Sequence, residues 1–182
     1  MPNHYLKGTR CYLCGAMETS ADAGVGWRQT VKNALADFGI TWWDPTSKPN
    51  VLGQNLPDEA DIAQIERDHG RNGFWTYKAL SLIRNVDRRL VTLADFLIVS
   101  LDPACPGCGT YEELFLANSQ EKPVLILAPK GVDTIPLWIL GTLPGAHFAE
   151  STDDLFDILH EVDAEGLDRS GRWILIGRED EA

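Results

Sequence analysis

The run Phe96-Leu-Ile-Val-Ser-Leu-Asp102 constrains the fold more than any other stretch of the chain. Its unbroken apolar character is that of a strand buried on both faces, as in a parallel sheet. The run ends in a carboxylate and passes through a Cys/Pro/Gly loop. It then opens into Gly109-Thr-Tyr-Glu-Glu113-Leu-Phe-Leu-Ala117, which reads as a helix. In an open α/β sheet, ligands collect at the carboxyl ends of the strands, so Asp102 and the start of this helix are expected to face one crevice. Acids converging there suggest paired-carboxylate chemistry, of which glycosidic bond cleavage is the best-known type. The competing reading is an acidic first turn that merely complements the helix dipole.

The remainder of the chain repeats this strand-then-helix rhythm. Thr9 to Gly15 reads as a first strand, followed by a polar loop and a helix from Trp27 to Phe38, with Val31, Ala34, Leu35 and Phe38 on one face and Gly39 as its stop. Ile40 to Trp43 is a short second strand closing on Asp44-Pro45. Thr46 to Pro57 reads as a long loop, Pro57 to Asp68 as a helix, and Tyr77 to Leu93 as a longer one. Ala94 to Leu101 is the third strand, Thr110 to Gln120 a helix, and Pro123 to Leu127 the fourth strand. A fifth comes from Trp138–Leu140 or from Ala146–Phe148. A helix over Asp153 to Val162, capped by Ser151 or Thr152, follows, and Arg172 to Gly177 is a candidate extra strand. Alternating strands and helices predict an α/β, doubly wound sheet of about five parallel strands, with 2-1-3-4-5 as the natural order.

At 182 residues, 44% of them hydrophobic, the chain is long enough for one domain over 1–182 with a full sheet-and-helix core. A net charge of -11 argues against nonspecific binding to nucleic acid or to anionic membrane, while leaving room for a nucleoside or nucleotide in a local pocket. No apolar run approaches a membrane span, and the first residues lack a signal-peptide core, so a soluble cytoplasmic protein is expected. The cysteines fall as Cys11-x-x-Cys14 and Cys105-x-x-Cys108, a spacing that invites a zinc reading. Residues three apart on a strand point to opposite faces, however, so Cys11 and Cys14 are poorly placed to share a metal. Reduced thiols and no metal site are expected.

Three strand ends supply polar groups to one edge: Gly15 to Glu18, Asp44 and Asp102. Asp87 adds an acid on the preceding helix, among Arg84, Arg88 and Arg89, where a surface salt bridge is the plainer reading. Asp44 reads first as a turn-opening Asp-Pro, and Tyr12 as core. No Gly-x-Gly-x-x-Gly, phosphate loop or serine nucleophile elbow is present, and His4, His69, His147 and His160 share no ligand spacing. Carboxylates remain as the chemical groups, and no cofactor is expected. Trp27, Trp42, Trp43, Phe74 and Trp75 offer faces on which a planar base could stack.

Several of these segments together resemble the nucleoside 2-deoxyribosyltransferases and their nucleotide N-hydrolase relatives. The matching residues are Tyr12-Leu-Cys-Gly15-Ala16, Asp87-Arg-Arg-Leu-Val-Thr-Leu-Ala-Asp95, Asp102, Gly109-Thr110-x-x-Glu113-x-x-x-Ala117 and Lys122-Pro-Val124. They run in order over roughly residues 10 to 128, and Gly-Thr-Tyr-Glu-Glu looks like versions common in phage-encoded members. The resemblance implies a flavodoxin-like fold and a retaining mechanism at the anomeric carbon. Glu113 matches the nucleophile, with Glu112 as the fallback. Asp87 and Asp102 match acids that contact the leaving base, and Tyr12 matches a tyrosine that positions the glutamate. Gly15, Gly109, Thr110, Trp27 and Asp44 are the accompanying candidates for substrate contact.

The substrates so implied are small: a 2′-deoxynucleoside or deoxynucleotide and a free base. Family transferases complete the site from a neighbouring subunit, which implies a homo-oligomer. The asparagine that does so has no evident counterpart here, and the tail Arg178-Glu-Asp-Glu-Ala182 does not look designed to enter a pocket. The polar stretch from Asp44 to Gly73 also matches nothing in the family. Three readings stand: base exchange between deoxynucleosides, hydrolysis of a deoxynucleoside monophosphate, and a non-catalytic nucleotide-binding module.

Overall fold

A computed structural model describes residues 4–17, 20–47, 59–104 and 107–174. Five parallel strands form one sheet in the order β2-β1-β3-β4-β5. They are β1 (Arg10–Gly15), β2 (Thr41–Trp43), β3 (Phe96–Ser100), β4 (Val124–Leu127) and β5 (Phe148–Ala149). The order expected from the strand and helix rhythm is the one found. The helices are α1 (Val25–Ala34), α2 (Glu59–His69), α3 (Phe74–Leu93), α4 (Cys108–Ser119), α5 (Leu137–Leu140) and α6 (Thr152–Glu165).

The sheet is covered on both faces, and the period-two alternation of the strands sorts its side chains between two cores. Tyr12, Cys14, Leu97, Val99, Val124 and Ile126 pack with Leu90, Val91, Leu114 and Ala117 from α3 and α4. Cys11, Leu13, Phe96, Ile98 and Leu125 pack on the other side with Val31, Leu155 and Leu159 from α1 and α6. Cys11 and Cys14 therefore lie on opposite faces, as the strand geometry requires. Cys105 lies outside the described residues.

Two scaffold ties come from residues inside the family-like segments. Asp95 takes a forked pair of bonds from Arg10, at 3.0 and 2.8 Å, and a third from the Arg10 backbone at 2.7 Å. Lys122 donates to the carbonyls of Val91 and Ala94 at 2.8 and 2.6 Å, closing the carboxyl end of α3.

Several boundaries differ from expectation. The first helix begins at Val25 and gives way to a 3-10 turn over Ala36–Phe38, with Gly39 in the left-handed conformation at its end. Trp138–Leu140 is helical and Trp138 is exposed, so the fifth strand falls at the other candidate, shifted to Phe148–Ala149. Ser151 caps α6, exchanging hydrogen bonds with Asp154 in a capping box. In the proposed extra strand, Arg172 and Trp173 are not in a strand; Trp173 instead packs on Phe96 with ring centroids 5.1 Å apart. Residues 175–177 of that candidate, most of the 46–57 loop, Glu18 and the tail 178–182 lie outside the described residues.

Candidate active site

Tyr12 and Cys14 sit two apart on β1, so both side chains leave the same face of the sheet, toward α4. On α4, Thr110, Glu113 and Ala117 recur at helical spacing, and the first and last of these are buried. The two elements meet at the nucleophile candidate: the Tyr12 hydroxyl donates to Glu113 Oε1 at 2.9 Å. The Cys14 thiol, wholly buried, lies 3.5 Å from the Thr110 carbonyl and also acts on Glu113 as a hydrogen-bonding neighbour. Asp87 approaches from α3, with its Oδ1 withdrawn from solvent. Four of the sequence-based candidates, Tyr12, Asp87, Thr110 and Glu113, thus come together.

Burial dominates the electrostatics of Glu113 and raises its carboxyl from 4.5 to about 7. The Cys14 thiol and the Tyr12 hydroxyl pull it back by bonding the anion, as does the charge of Arg28, while Asp87 pushes in the same direction as burial. Because Glu113 is the sixth residue of α4, the helix dipole, which fades within the first turn, is not what sets its charge. Tyr12 is held well above its ordinary value, first by burial and then by Glu113 and Asp87. Its hydroxyl stays a proton donor.

Glu112 has a different environment. It accepts a bond from Arg84 Nε at 2.7 Å, pairs again with the Arg84 terminal nitrogen, and lies 3.5 Å from Arg88. Arg84 and Arg88, two of the arginines expected near Asp87, both reach Glu112. The Arg84 hydrogen bond is the main reason its carboxyl lies below the ordinary value.

The other candidates distribute as follows. Gly15 ends β1 directly beneath Trp27; a Cβ there would stand 2.8 Å from Trp27 Cζ2 and 3.3 Å from the Ser100 carbonyl, so only glycine lets the indole lie on the strand end. Asp102 stands just beyond β3, half-buried, its Oδ1 accepting from the Ala104 backbone at 2.9 Å. Gly109 is exposed in the first turn of α4. Asp44 is buried and committed: it takes Lys32 at 2.8 Å, lies 3.7 Å from Arg28, and accepts from the Thr46 backbone and hydroxyl. Burial opposes its charge, but these donors together hold it below the ordinary carboxylate range. Of the other aromatic candidates, Trp43 is core, Trp42 packs against the α1/α6 layer, and Phe74 and Trp75 are exposed at the start of α3.

Sequence reasoning passed over Arg28. It is fully buried and donates to the carbonyls of Leu13, Gly24 and Gly15 at 3.3, 2.8 and 3.0 Å. A signal was present: Arg28, Val31, Leu35 and Phe38 share one stripe of their segment, and a charge on an apolar stripe demands partners.

No family model matches this chain, and no curated protein matches it. Solved structures do. A 2-deoxyribosyltransferase from Bacillus psychrosaccharolyticus is 20% identical, with a TM-score of 0.55, covering 83% of this chain and 96% of its own. A conserved protein from Enterococcus faecalis V583 is 18% identical, with a TM-score of 0.56, covering 85% and 98%. The chain therefore shares its fold with a deoxyribosyltransferase over nearly the whole of that enzyme. No helix among the described residues is long and apolar enough to cross a membrane.

Proposed function

We propose that this chain is an N-glycosidic enzyme that exchanges the base of 2′-deoxynucleosides, with Glu113 as its nucleophile. The observation that carries the reading is the 2.9 Å hydrogen bond from Tyr12 on β1 to Glu113 on α4. Tyr12 fixes one carboxylate oxygen, so that the other is the one proposed to meet a reacting carbon. The shared fold with a 2-deoxyribosyltransferase supports it.

In the proposed reaction, the Glu113 oxygen not held by Tyr12 forms a bond to C1′ as the C1′–N bond breaks. The electron pair of that bond leaves on the base nitrogen, and an acid delivers the compensating proton. Asp87, adjacent to Glu113, and Asp102, at the end of β3, are the candidates for that delivery. An incoming base then attacks C1′ from the opposite face, expels the carboxylate and surrenders a proton. Two inversions give net retention. Trp27, laid across Gly15, supplies a flat wall for a base. Tyr12 keeps the carboxylate oriented through its other oxygen and, on release of the sugar, recovers a charged acceptor.

Incubation with deoxyinosine, with and without adenine, tests the proposal. Deoxyadenosine formed only when adenine is present supports transfer. Hypoxanthine released without exchange, or a base released from a deoxynucleoside monophosphate alone, replaces it with hydrolysis. No product from either substrate over hours leaves a binding module and overturns the enzymatic reading. A 2-fluorinated analogue is expected to trap an ester on Glu113, whereas trapping on Glu112 would show the assignment to be one residue off.

A further inference from the structure

We infer that Arg28 is a positioning residue for Glu113: its guanidinium pins the carboxyl end of β1, from which Tyr12 and Cys14 reach the carboxylate, and it brings buried positive charge to the site. The inference rests on Glu113 being the reacting carboxylate.

The geometry is specific. Three donors of one side chain are spent on three carbonyls: Leu13 and Gly15, which flank Cys14 on β1, and Gly24, which opens α1. Gly24 is in the left-handed conformation (φ 74°), and a Cβ there would lie 2.3 Å from Arg28 Nη1 and 2.5 Å from the Ala16 carbonyl. Gly15 and Gly24, at the two ends of the β1–α1 connection, are thus held by one guanidinium. A lysine gathers its donors on one nitrogen, as Lys122 does for the neighbouring carbonyls of Val91, Thr92 and Ala94, and does not reproduce the rigid, spread fork of the guanidinium. The guanidinium also stacks over Trp27, 4.6 Å from its ring centroid, tying the wall of the site to the same anchor.

The charge balance points the same way. Asp44 stands between Arg28 and Lys32, so this cluster carries two positive charges against one negative. On the other side of β1, Glu113 meets Tyr12 and Cys14 from β1, Asp87 from α3 and the field of Arg28 from α1, while its neighbour Glu112 is occupied by Arg84 and Arg88. A buried cation on α1, bonded to the end of β1, favours the ionised form of Glu113, the form that can attack. The excess charge of the Arg28–Asp44–Lys32 cluster opposes the repulsion from Asp87.

The test uses the full chain and three variants, R28M, R28K and D44N. Glu113 is titrated by carbon NMR of carboxyl-labelled glutamate, with E113Q assigning the resonance, and kcat and KM are measured alongside. In R28M the Glu113 titration is expected to move to higher pH by about one pH unit. In R28K it stays near wild type while kcat falls about tenfold at nearly unchanged KM, because charge survives and geometry does not. In D44N it moves to lower pH. Opposite signs for R28M and D44N are not produced by general loosening of the fold; if R28M does not fold, the downward movement in D44N and the kcat loss in R28K still decide. Glu113 titrating at one pH in every variant, or moving the same way in R28M and D44N, overturns the inference. If the wild type turns over no nucleoside, the proposed function fails, and the titration still reads the role of Arg28.

Discussion

Replacing Glu113 by glutamine should stabilise the protein in alkaline solution and leave its stability nearly unchanged in acid. In the folded chain the carboxyl is raised from 4.5 to about 7, chiefly by burial. Protonated Glu113 is therefore the form the fold prefers, and its contribution is fully present below pH 4.5. It is lost progressively as the pH rises through about 7 and is gone above it. The gap between 4.5 and about 7 corresponds to about 3 kcal/mol. Glu113 keeps a partly exposed edge, so solvent screens some of this and on the order of 2 kcal/mol is expected. Glutamine has the same shape, stays neutral, and retains an acceptor for the Tyr12 hydroxyl.

The assay is urea unfolding of wild type and E113Q at pH 5, 6, 7 and 8. Any constant offset from the substitution cancels when the difference between the two proteins is followed across pH. That difference should grow in favour of E113Q by about 2 kcal/mol between pH 5 and pH 8, which in a parallel thermal melt is roughly 4 to 8 °C for a chain of this size. Turnover by the wild type should rise over the same interval, since attack needs the carboxylate, and E113Q should show none. A stability difference that stays constant within about 0.5 kcal/mol over this range would refute the argument. Glu113 would then not be a buried acid stressed by its own ionisation.

Two further outcomes follow from individual contacts. G15A forces a methyl to within 2.8 Å of Trp27 Cζ2, so the indole must move off the strand end; KM for the nucleoside should rise severalfold with a smaller change in kcat, and an unchanged KM would remove Trp27 from the site. His147, a buried ring, is pushed down from 6.5 to about 4 by burial first and then by Arg172, which Asp168 and the Val124 backbone only partly offset. The charged ring is what the fold disfavours, so stability is retained above pH 6.5 and lost as the pH falls toward 4. H147L should therefore gain on the wild type by about 3 kcal/mol over that interval in thermal unfolding, and a pH-independent gap would show that the ring finds a partner.

What could be read from the chain depended on how local the cause was. The third strand is legible because burial on both faces writes an unbroken apolar run at Phe96–Val99. The fifth was ambiguous because it is only two residues long, held by pairing with Ile126 and Leu127 and flanked by irregular chain. Trp138 and Leu137 carry strand-like apolarity yet are exposed, which no window of sequence distinguishes from burial. Glu113 is preferred to Glu112 because its spacing to Ala117 resembles the family's Glu-x-x-x-Ala pattern, and Ala117 lies on the buried face of α4. Arg28 was missed because its partners are carbonyls at the end of β1 and a carboxylate beyond β2, brought together only by the sheet. A charge on an apolar stripe announced that something was there, but not what.

Glu112 and Glu113 show how little sequence separates a surface ion pair from a reactive group. One residue along a helix is about 100° of rotation. That rotation carries Glu112 outward to Arg84 and Arg88, which hold it charged and spent. It carries Glu113 inward to Tyr12, Cys14 and Asp87, where burial resists its charge and a few donors preserve it. A carboxylate satisfied by arginines has little to gain by bonding to carbon. A desolvated one, with a single strong donor on one oxygen, lowers its energy when its charge is taken up in an ester. The helical phase of α4, fixed by the burial of Thr110, Leu114 and Ala117 against β1 and β3, therefore chooses which of two identical side chains takes the place of the proposed nucleophile.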